Sequence, residues 1–86
     1  MVEPLVSAVI ACPNRSWMLE ECLRAIDAQT YRKYETIVLD DAKTGKVRPA
    51  EKRNRGIREA KGEIIAFIDD DAYPDAHWLE YAVKYF

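Results

Sequence analysis

Three short apolar runs alternate with amphipathic segments along this chain. Leu5 to Ala11 is apolar except for Ser7, and its length and its Val and Ile content predict a strand that is buried on both faces. Glu35 to Leu39 and Glu63 to Ile68 predict two further short strands. Aspartates follow the second and third strands directly.

The first interval between strands has the periodicity of an amphipathic helix. Either Asn14 or Ser16 can cap its first turn, because both side chains accept hydrogen bonds from exposed backbone N–H groups. The pair Gln29-Thr30 ends the pattern. Its apolar stripe, at i, i+3, i+4 and i+7, consists of Leu19, Cys22, Leu23 and Ile26.

The second interval predicts a loop over residues 42–48 and then a helix. Pro49 suits the first turn of this helix, which runs to about Lys61 and has Gly62 as its stop. Charged side chains dominate it, and Glu51 and Arg55 are spaced for an ion pair. Its weak apolar stripe consists chiefly of Ala50, Ile57 and Ala60.

A third helix follows the last strand. Pro74 and Asp75 predict its start, with Asp75 as the cap, and His77 is expected on the surface of its first turn. Trp78 and the aromatic residues of 81–86 are interpreted as packing residues in preference to a sugar-stacking surface. The apolar side of this helix consists of Trp78, Leu79, Ala82, Val83 and Phe86.

This β-α-β-α-β-α order predicts an α/β fold with a three-layer, Rossmann-like parallel sheet of about three strands. Residues 1–86 are expected to form a single domain with a thin core, because so short a chain buries a small share of its surface. Ligands of such sheets collect at the carboxyl ends of the strands. The acidic residues that follow strands two and three are therefore expected on one edge.

Composition is that of a soluble globular domain, with 49% hydrophobic and 33% charged residues. No run is long and apolar enough to span a bilayer, and no signal peptide is recognisable, so a cytoplasmic location is expected. Cys12 and Cys22 are expected to be reduced thiols, and their spacing does not suit a zinc site. Nucleic acid is not an expected partner.

Charge is strongly segregated although the net charge is only −2. Residues 43–61 carry eight basic and two acidic side chains, a net of +6, which leaves −8 for the rest of the chain. A basic stretch beside an acidic cluster suits an anionic ligand that is held through a cation. A solvated helix face with internal ion pairs explains the stretch about equally well.

The run Asp69-Asp70-Asp71 places three like charges directly after a buried strand. Such charges repel one another, and a divalent cation compensates them well, because Mg²⁺ and Mn²⁺ prefer carboxylate, water and phosphate oxygens. The alternative is an exposed acidic turn that caps the next helix. Since Asp75 already offers a cap, the metal site is the favoured interpretation.

Residues 53–71, which read RNRGIREAKGEIIAFIDDD, resemble the family 2 glycosyltransferases of the GT-A fold, whose RNxG and GE motifs lead into a DXD metal motif. Val6 to Ile10, Asn14-Arg15, Gln29-Thr30-Tyr31 and Val38 to Asp41 resemble the same family in the same order. The resemblance covers nearly the whole chain. It implies a truncated or compact nucleotide-sugar-binding half.

The resemblance also implies a role for each matched position. Asp41 would accept a hydrogen bond from the base, with Asp40 beside it, although a turn role suits Asp40 equally. Arg53 would lie near the nucleotide, which is expected to belong to a UDP-sugar. Mn²⁺ or Mg²⁺ would be held by Asp71, while Asp70 or Asp69 would reach the ribose or the metal waters; the expected metal residues are Asp69 and Asp71, and Asp70 joins the nucleotide set.

Three departures from the family pattern stand out. Ala11-Cys12-Pro13 replaces the usual Pro-Thr-Tyr, so the aromatic side chain that would lie against the base is absent. Residues 42–52 are too few for the family's usual turn, helix and strand at this point, so one strand of the usual sheet is expected to be missing. No residue matches the general base, and the acceptor-binding half is expected to be lacking.

Two alternatives to an enzyme domain remain open. The chain could be a non-catalytic binding module that keeps the fold and pairs with another copy through an exposed sheet edge. A phospho-acceptor domain of the response-regulator kind also places acids at strand ends, but the lysine strand expected downstream is absent.

Overall fold

The computed structural model describes residues 3–85 and contains one parallel sheet with helices on both faces. The strands are β1 (Val6–Ala11), β2 (Tyr34–Leu39) and β3 (Ile64–Phe67). The helices are α1 (Trp17–Asp27), α2 (Asp41–Thr44), α3 (Pro49–Glu59) and α4 (Trp78–Lys84). The predicted α/β class, strand number and parallel arrangement are confirmed.

Strand β1 lies in the middle of the sheet, in the order β2-β1-β3. Val6 is opposite both Tyr34 and Ile64, so all three strands start level with one another. The chain leaves β1 for one neighbour and then crosses β1 to reach the other. The carboxyl ends of β2 and β3 therefore flank the end of β1, where open α/β sheets bind ligands.

Alternate residues of β1 serve the two faces of the sheet. Ile10 packs with α1 through Leu19 and Cys22, whereas Val9 packs with Ile37 and Leu39 on the face that α3 covers. Successive side chains of a strand point to opposite faces, so α1 and α3 must lie on opposite sides. The predicted three layers and the burial of β1 on both faces are confirmed.

Ser16 caps α1, and its hydroxyl oxygen accepts a hydrogen bond of 3.2 Å from the backbone N–H of Leu19. This contact decides between the two predicted caps, Asn14 and Ser16. The predicted stripe is confirmed, since Leu19, Cys22 and Ile26 are buried and Leu23 packs against them.

Residues 42–48 were predicted as a loop, and this prediction was wrong at its start. Asp41–Thr44 form the short helix α2, because the Asp40 carboxylate accepts a hydrogen bond of 2.9 Å from the backbone N–H of Lys43 and caps the turn. Gly45, at φ 82°, then ends the helix in a conformation that side chains disfavour.

Helix α3 packs only partly through the residues predicted, since Ala60 packs against the cluster of Val9, Ile37 and Leu39 whereas Ala50 is exposed. Ile57 is 46% exposed, while Lys52 and Gly56 are buried. A Cβ atom on Gly56 would lie 2.5 Å from Cγ1 of Val9, so the absence of a side chain is what lets the helix approach β1. The helix ends at Glu59, before the predicted stop, and Gly62 instead contacts β1 closely beyond that end.

The ion pairs of α3 also differ from the prediction. Arg55 pairs with Glu59 at 2.7 Å, and not with Glu51. Lys43 of α2 meets the same Glu59 carboxylate at 2.7 Å, so one acid joins the two helices. These contacts hold the pKa of Glu59 below its ordinary value, chiefly through the hydrogen bond from Lys43.

Helix α4 begins at Trp78, later than predicted, with His77 at its cap position. Asp75 accepts a hydrogen bond from the backbone N–H of His77 but does not cap the helix. The buried side chain of Gln29 caps the helix instead. Its Nε2 donates to the Asp75 carbonyl at 2.6 Å, and its Oε1 accepts from the N–H of Leu79 at 3.0 Å.

Most of the predicted apolar side of α4 is confirmed. Leu79 is buried, and Trp78 and Val83 pack against the cluster around it, whereas Phe86 lies outside the described residues. Cys12 and Cys22 are free buried thiols, as predicted. Across residues 3–85, no helix combines the length and the hydrophobicity needed to cross a membrane.

Candidate functional site

The acidic residues after β2 and β3 lie at the edge of the sheet that also holds Cys12, the first residue beyond the end of β1. Burial raises the pKa of the Cys12 thiol, and the charges of Asp70 and Asp40 raise it further. Asp40 comes directly after β2 and Asp70 shortly after β3, and both strands run parallel to β1. Asp41 and Asp71 follow them directly, so the structure brings the two acidic segments to the same edge of the sheet.

Asp40 has a structural role at this edge of the sheet. Its carboxylate caps α2, and its Oδ2 atom lies 3.9 Å from Nε of Arg15, the residue of the Asn14-Arg15 pair that faces this end of the sheet. Of the two roles that the sequence left open for Asp40, the structure displays the turn role.

Asp41 forms a nearly buried ion pair with Lys52. The Oδ1 atom of Asp41 lies 2.6 Å from Nζ of Lys52, and the same ammonium donates to the carbonyl oxygen of Cys12 at 2.7 Å. The Lys52 side chain is 5% exposed and that of Asp41 23% exposed. The pair ties α3 to the end of β1 and fixes the position of the Asp41 carboxylate.

A cavity of about 350 Å³, the Asp41 cavity, opens beside this pair. Its walls come from the end of β1, from α2, from the segment before α3 and from the first turn of α3. They are lined by Ala11, Cys12, Pro13, Asp41, Lys46, Val47, Pro49 and Lys52. The walls are mostly apolar, and the polar groups gather at the ion pair.

A second cavity of about 270 Å³, the Asp69 cavity, lies beside the ends of β1 and β3. Ala11 lines both cavities, so they adjoin at the end of the central strand. Two successive residues of α3 line these cavities: Lys52 lines the Asp41 cavity, and Arg53 lines the Asp69 cavity. The second cavity is lined by Val9, Ala11, Arg53, Phe67, Ile68, Asp69, Ala72 and Trp78.

The run Asp69 to Asp71 is only partly sheltered. Asp69 and Asp71 are exposed and Asp70 is half-buried. The backbone carbonyl of Asp69 lies 3.7 Å from the thiol of Cys22, which ties the start of the run to α1. Over residues 3–85, three or more metal-ligating side chains do not come together at any point.

These donors suit a cation that keeps other ligands. Mg²⁺ and Mn²⁺ are commonly bound through one or two carboxylates, with waters and substrate phosphates in the remaining positions. Exposed Asp69 and Asp71 leave room for such ligands. The arrangement does not suit a metal held by the protein alone.

His77 lies outside the acidic edge of the sheet, and Trp78 lies at its margin. His77 is exposed, and its Nδ1 atom lies 3.0 Å from a carboxylate oxygen of Glu80, which agrees with the predicted surface role. Trp78 both packs in the core and lines the Asp69 cavity.

Sequence reasoning missed Lys52 and the contribution of Pro13, Val47 and Pro49 to a cavity. The basic stretch was interpreted either as part of a site for an anionic ligand or as a solvated helix face, and a single lysine among eight basic residues does not stand out. Lys52 lies four residues before Gly56 and shares its helix face, but the burial of that face is visible only in the structure.

Comparison with known proteins gives a consistent result. The family described as Glycosyl transferase family 2 matches residues 42–86. The glycosyltransferase AglE of Haloferax volcanii is 30% identical over 106 residues, which cover 94% of this chain and 35% of that protein. The glycosyltransferase GlyG of Streptococcus pneumoniae serotype 4 is 32% identical, over 88% of this chain and 33% of that protein.

A third relative is named for its reaction. The GalNAc(5)-diNAcBac-PP-undecaprenol beta-1,3-glucosyltransferase of Campylobacter jejuni is 25% identical over 79% of this chain and 30% of its own length. The chain thus spans about a third of the length of these three relatives. The match to AglE extends over more positions than this chain has residues, so AglE carries additional residues inside the matched region.

Proposed function

The chain belongs to glycosyl transferase family 2, and we propose that it forms the part of a glycosyltransferase that binds the nucleotide-diphospho-sugar donor, with a UDP-sugar as the leading candidate. The proposal concerns the donor alone. Acceptor recognition and the general base are not assigned to any residue of this chain.

One observation carries the proposal: the acidic ends of β2 and β3 lie at one edge of the sheet, on either side of the end of β1. Two adjoining cavities lie at this edge, one lined by Asp41 and the other by Asp69. A donor can then place its base in the Asp41 cavity and its diphosphate toward the Asp69 cavity. This assignment uses each acidic segment for a different part of one ligand.

The diphosphate is expected to bind where basic groups and metal donors are close together. Arg53 and Asp69 line the same cavity, so a phosphate held near Asp69 through a cation also comes within range of the guanidinium group. Asp69 and Asp71 would hold Mn²⁺ or Mg²⁺. The cation would stabilise the charge that develops on the departing nucleoside diphosphate.

Binding of UDP with and without Mn²⁺ tests the proposal. Calorimetry on the chain should show that Mn²⁺ strengthens UDP binding and that Asp71→Ala removes this effect. Asp27→Ala, which removes an exposed carboxylate at the end of α1, is the matched control and should keep the effect. If UDP at millimolar concentration does not bind with or without Mn²⁺, the result contradicts the donor site and supports the alternative of a non-catalytic module that keeps the fold.

A further inference from the structure

A diphosphate that is bound through a cation does not account for the ion pair between Lys52 and Asp41. We propose that Lys52 and Asp41 together form the edge that recognises the nucleobase, so that Lys52 is a base-recognition residue of the donor site. This inference rests on the proposed function. It adds a residue that neither the family resemblance nor the motifs of the chain assign.

The burial of Lys52 requires a compensating arrangement. A charged ammonium group is costly to bury unless it is paired and hydrogen-bonded. Its Nζ atom meets the Asp41 carboxylate at 2.6 Å and the Cys12 carbonyl at 2.7 Å. An ammonium group has three N–H donors, and these two contacts use two of them. One donor is left beside a carboxylate that is 23% exposed.

Asp41 and Lys52 both line the Asp41 cavity, so the pair offers a ligand there an acceptor next to a donor. The pairing edge of a nucleobase carries the complementary arrangement, with an N–H group next to a carbonyl oxygen or a ring nitrogen. A phosphate has acceptors only, and the Asp41 carboxylate repels it. The chemistry of the pair therefore favours a base over a phosphate, and it favours bases as a class over one base in particular.

The walls of the Asp41 cavity suit the faces of such a ring. Ala11, Pro13, Val47 and Pro49 supply apolar surface, and the volume of about 350 Å³ falls within the ordinary range for small-molecule sites. Bases are commonly held between apolar side chains while their edges are hydrogen-bonded. Proline and valine contacts thus take the place of the aromatic side chain that the chain lacks before Asn14.

Comparison of two ligands isolates the base. UDP and ribose 5-diphosphate share the sugar and both phosphates, so the ratio of their affinities measures what the base contributes. In the unaltered chain UDP should bind about tenfold more tightly. Lys52→Met should reduce this ratio to near one by weakening UDP binding, while the affinity for ribose 5-diphosphate stays the same.

Two further variants complete the test. Arg58→Met removes a positive charge from the exposed side of the same helix and should leave the ratio unchanged. The paired change Asp41→Leu with Lys52→Met leaves no buried charge unpaired and removes both the acceptor and the donor, so it should also lower the ratio in case Lys52→Met alone does not fold.

The outcomes separate the two proposals. A ratio that stays near tenfold in folded Lys52 variants overturns the recognition role and leaves a merely structural ion pair. In the unaltered chain, the side-chain ¹³C resonance of Lys52 should shift with UDP and not with ribose 5-diphosphate, and equal shifts would also overturn the role. If neither ligand binds the unaltered chain, the donor site itself is refuted.

Discussion

At the scale of single residues, Gly56 decides how closely α3 approaches the sheet. A Cβ atom at this position would lie 2.5 Å from Val9 and 3.0 Å from Leu39. Both neighbours are almost fully buried and cannot move aside without disturbing the core. The helix therefore owes its place over β1 and β2 to a missing side chain.

Replacement of Gly56 by valine should destabilise the chain. Overpacking of a close-packed core costs about 1–3 kcal/mol, which exceeds the gain of a few tenths of a kcal/mol that valine brings over glycine in helix propensity. Urea denaturation measures the free energy of unfolding. Asn54→Val, at an exposed position of the same helix, is the control and should change it by less than about 0.5 kcal/mol. Equal effects of the two changes would contradict the packing argument.

A second residue-scale feature is the network around Glu35. Its carboxylate accepts hydrogen bonds from the Ser7 hydroxyl at 2.5 Å and from the backbone N–H of Lys61 at 2.7 Å. The Ser7 bond is the main reason why the pKa of Glu35 lies below its ordinary value of 4.5. Ser7 also accepts from the N–H of Gly62, so the network joins the starts of β1 and β2 to the segment just before β3.

The lowered pKa of Glu35 predicts a pH dependence of stability. A carboxylate with a lowered pKa in the folded chain contributes stability above its ordinary pKa, and this contribution is lost as the pH falls through the folded value. Glu35→Gln should therefore narrow the difference in unfolding free energy between pH 6 and pH 3. Glu51→Gln, at an exposed position of α3, should keep the difference of the unaltered chain. A Glu35→Gln chain with an unchanged pH profile would refute the role of the network.

The structural roles of some residues could be predicted from the sequence, and those of others could not. Ser16 was one of two predicted caps, because capping depends on neighbours close in the chain. Lys52 and Gly56 were missed as core-facing residues, since their burial depends on β1 and β2, which lie far away in sequence. Asp40 shows both effects: its place at a strand end was predictable, whereas the helix that it caps was not.

At the scale of elements, α4 depends on Gln29 for its first turn. The Gln29 side chain is 2% exposed and bonds both the loop before α4 and the N–H of Leu79 inside it. Thr30 adds a backbone hydrogen bond of 2.9 Å to the carbonyl of Ala76. Gln29 and Thr30, which mark the end of the α1 pattern in the sequence, thus hold the start of α4.

Gln29→Ala should loosen α4 selectively. Truncation leaves the Leu79 N–H and the Asp75 carbonyl without these partners, at a cost of about 1–3 kcal/mol for a buried unpaired group. Hydrogen exchange should therefore quicken at the amides of α4, with little change in β1 beyond the loss of global stability. Gln29→Glu replaces the donor to the Asp75 carbonyl with an acceptor and buries a charge, so it should loosen α4 at least as much. Uniform acceleration over all elements after Gln29→Ala would contradict a local role.

The helix cap of α1 offers a paired comparison. Ser16→Ala should cost about 1 kcal/mol of stability because the Leu19 N–H loses its acceptor, and Asn14→Ala should cost less than half of that. Thermal or urea unfolding of both variants checks the order. An effect of Asn14→Ala that equals or exceeds that of Ser16→Ala would contradict the assignment of Ser16 as the cap.

The elements themselves were largely predictable, because each strand is a mainly apolar run and α1 has a regular stripe. The start of the loop after β2, the end of α3 and the start of α4 were predicted wrongly. Helix α4 begins at Trp78 because Gln29, a distant residue, bonds its first turn. Helix α3 was placed correctly in the chain, but its weak apolar stripe pointed to Ile57, which faces solvent.

At the scale of the whole molecule, the parallel sheet brings together acids that are about thirty residues apart in the sequence. This convergence followed from the β-α-β order alone, because parallel strands end at one edge. The division of that edge into two cavities did not follow, since it depends on where α3 directs Lys52 and Arg53. One side of the sheet is also less covered at β3, where Phe67 is 44% exposed.

Amide shifts in the presence of Mn²⁺ and UDP test most directly whether the two acidic strand ends serve one ligand. Shifts near Asp41 and line broadening at residues 69–72 should appear together, and Asp71→Ala should weaken both responses. A chain in which the signals near Asp41 respond to UDP independently of Mn²⁺ and of Asp71, or in which only one strand end responds, would contradict a shared donor site.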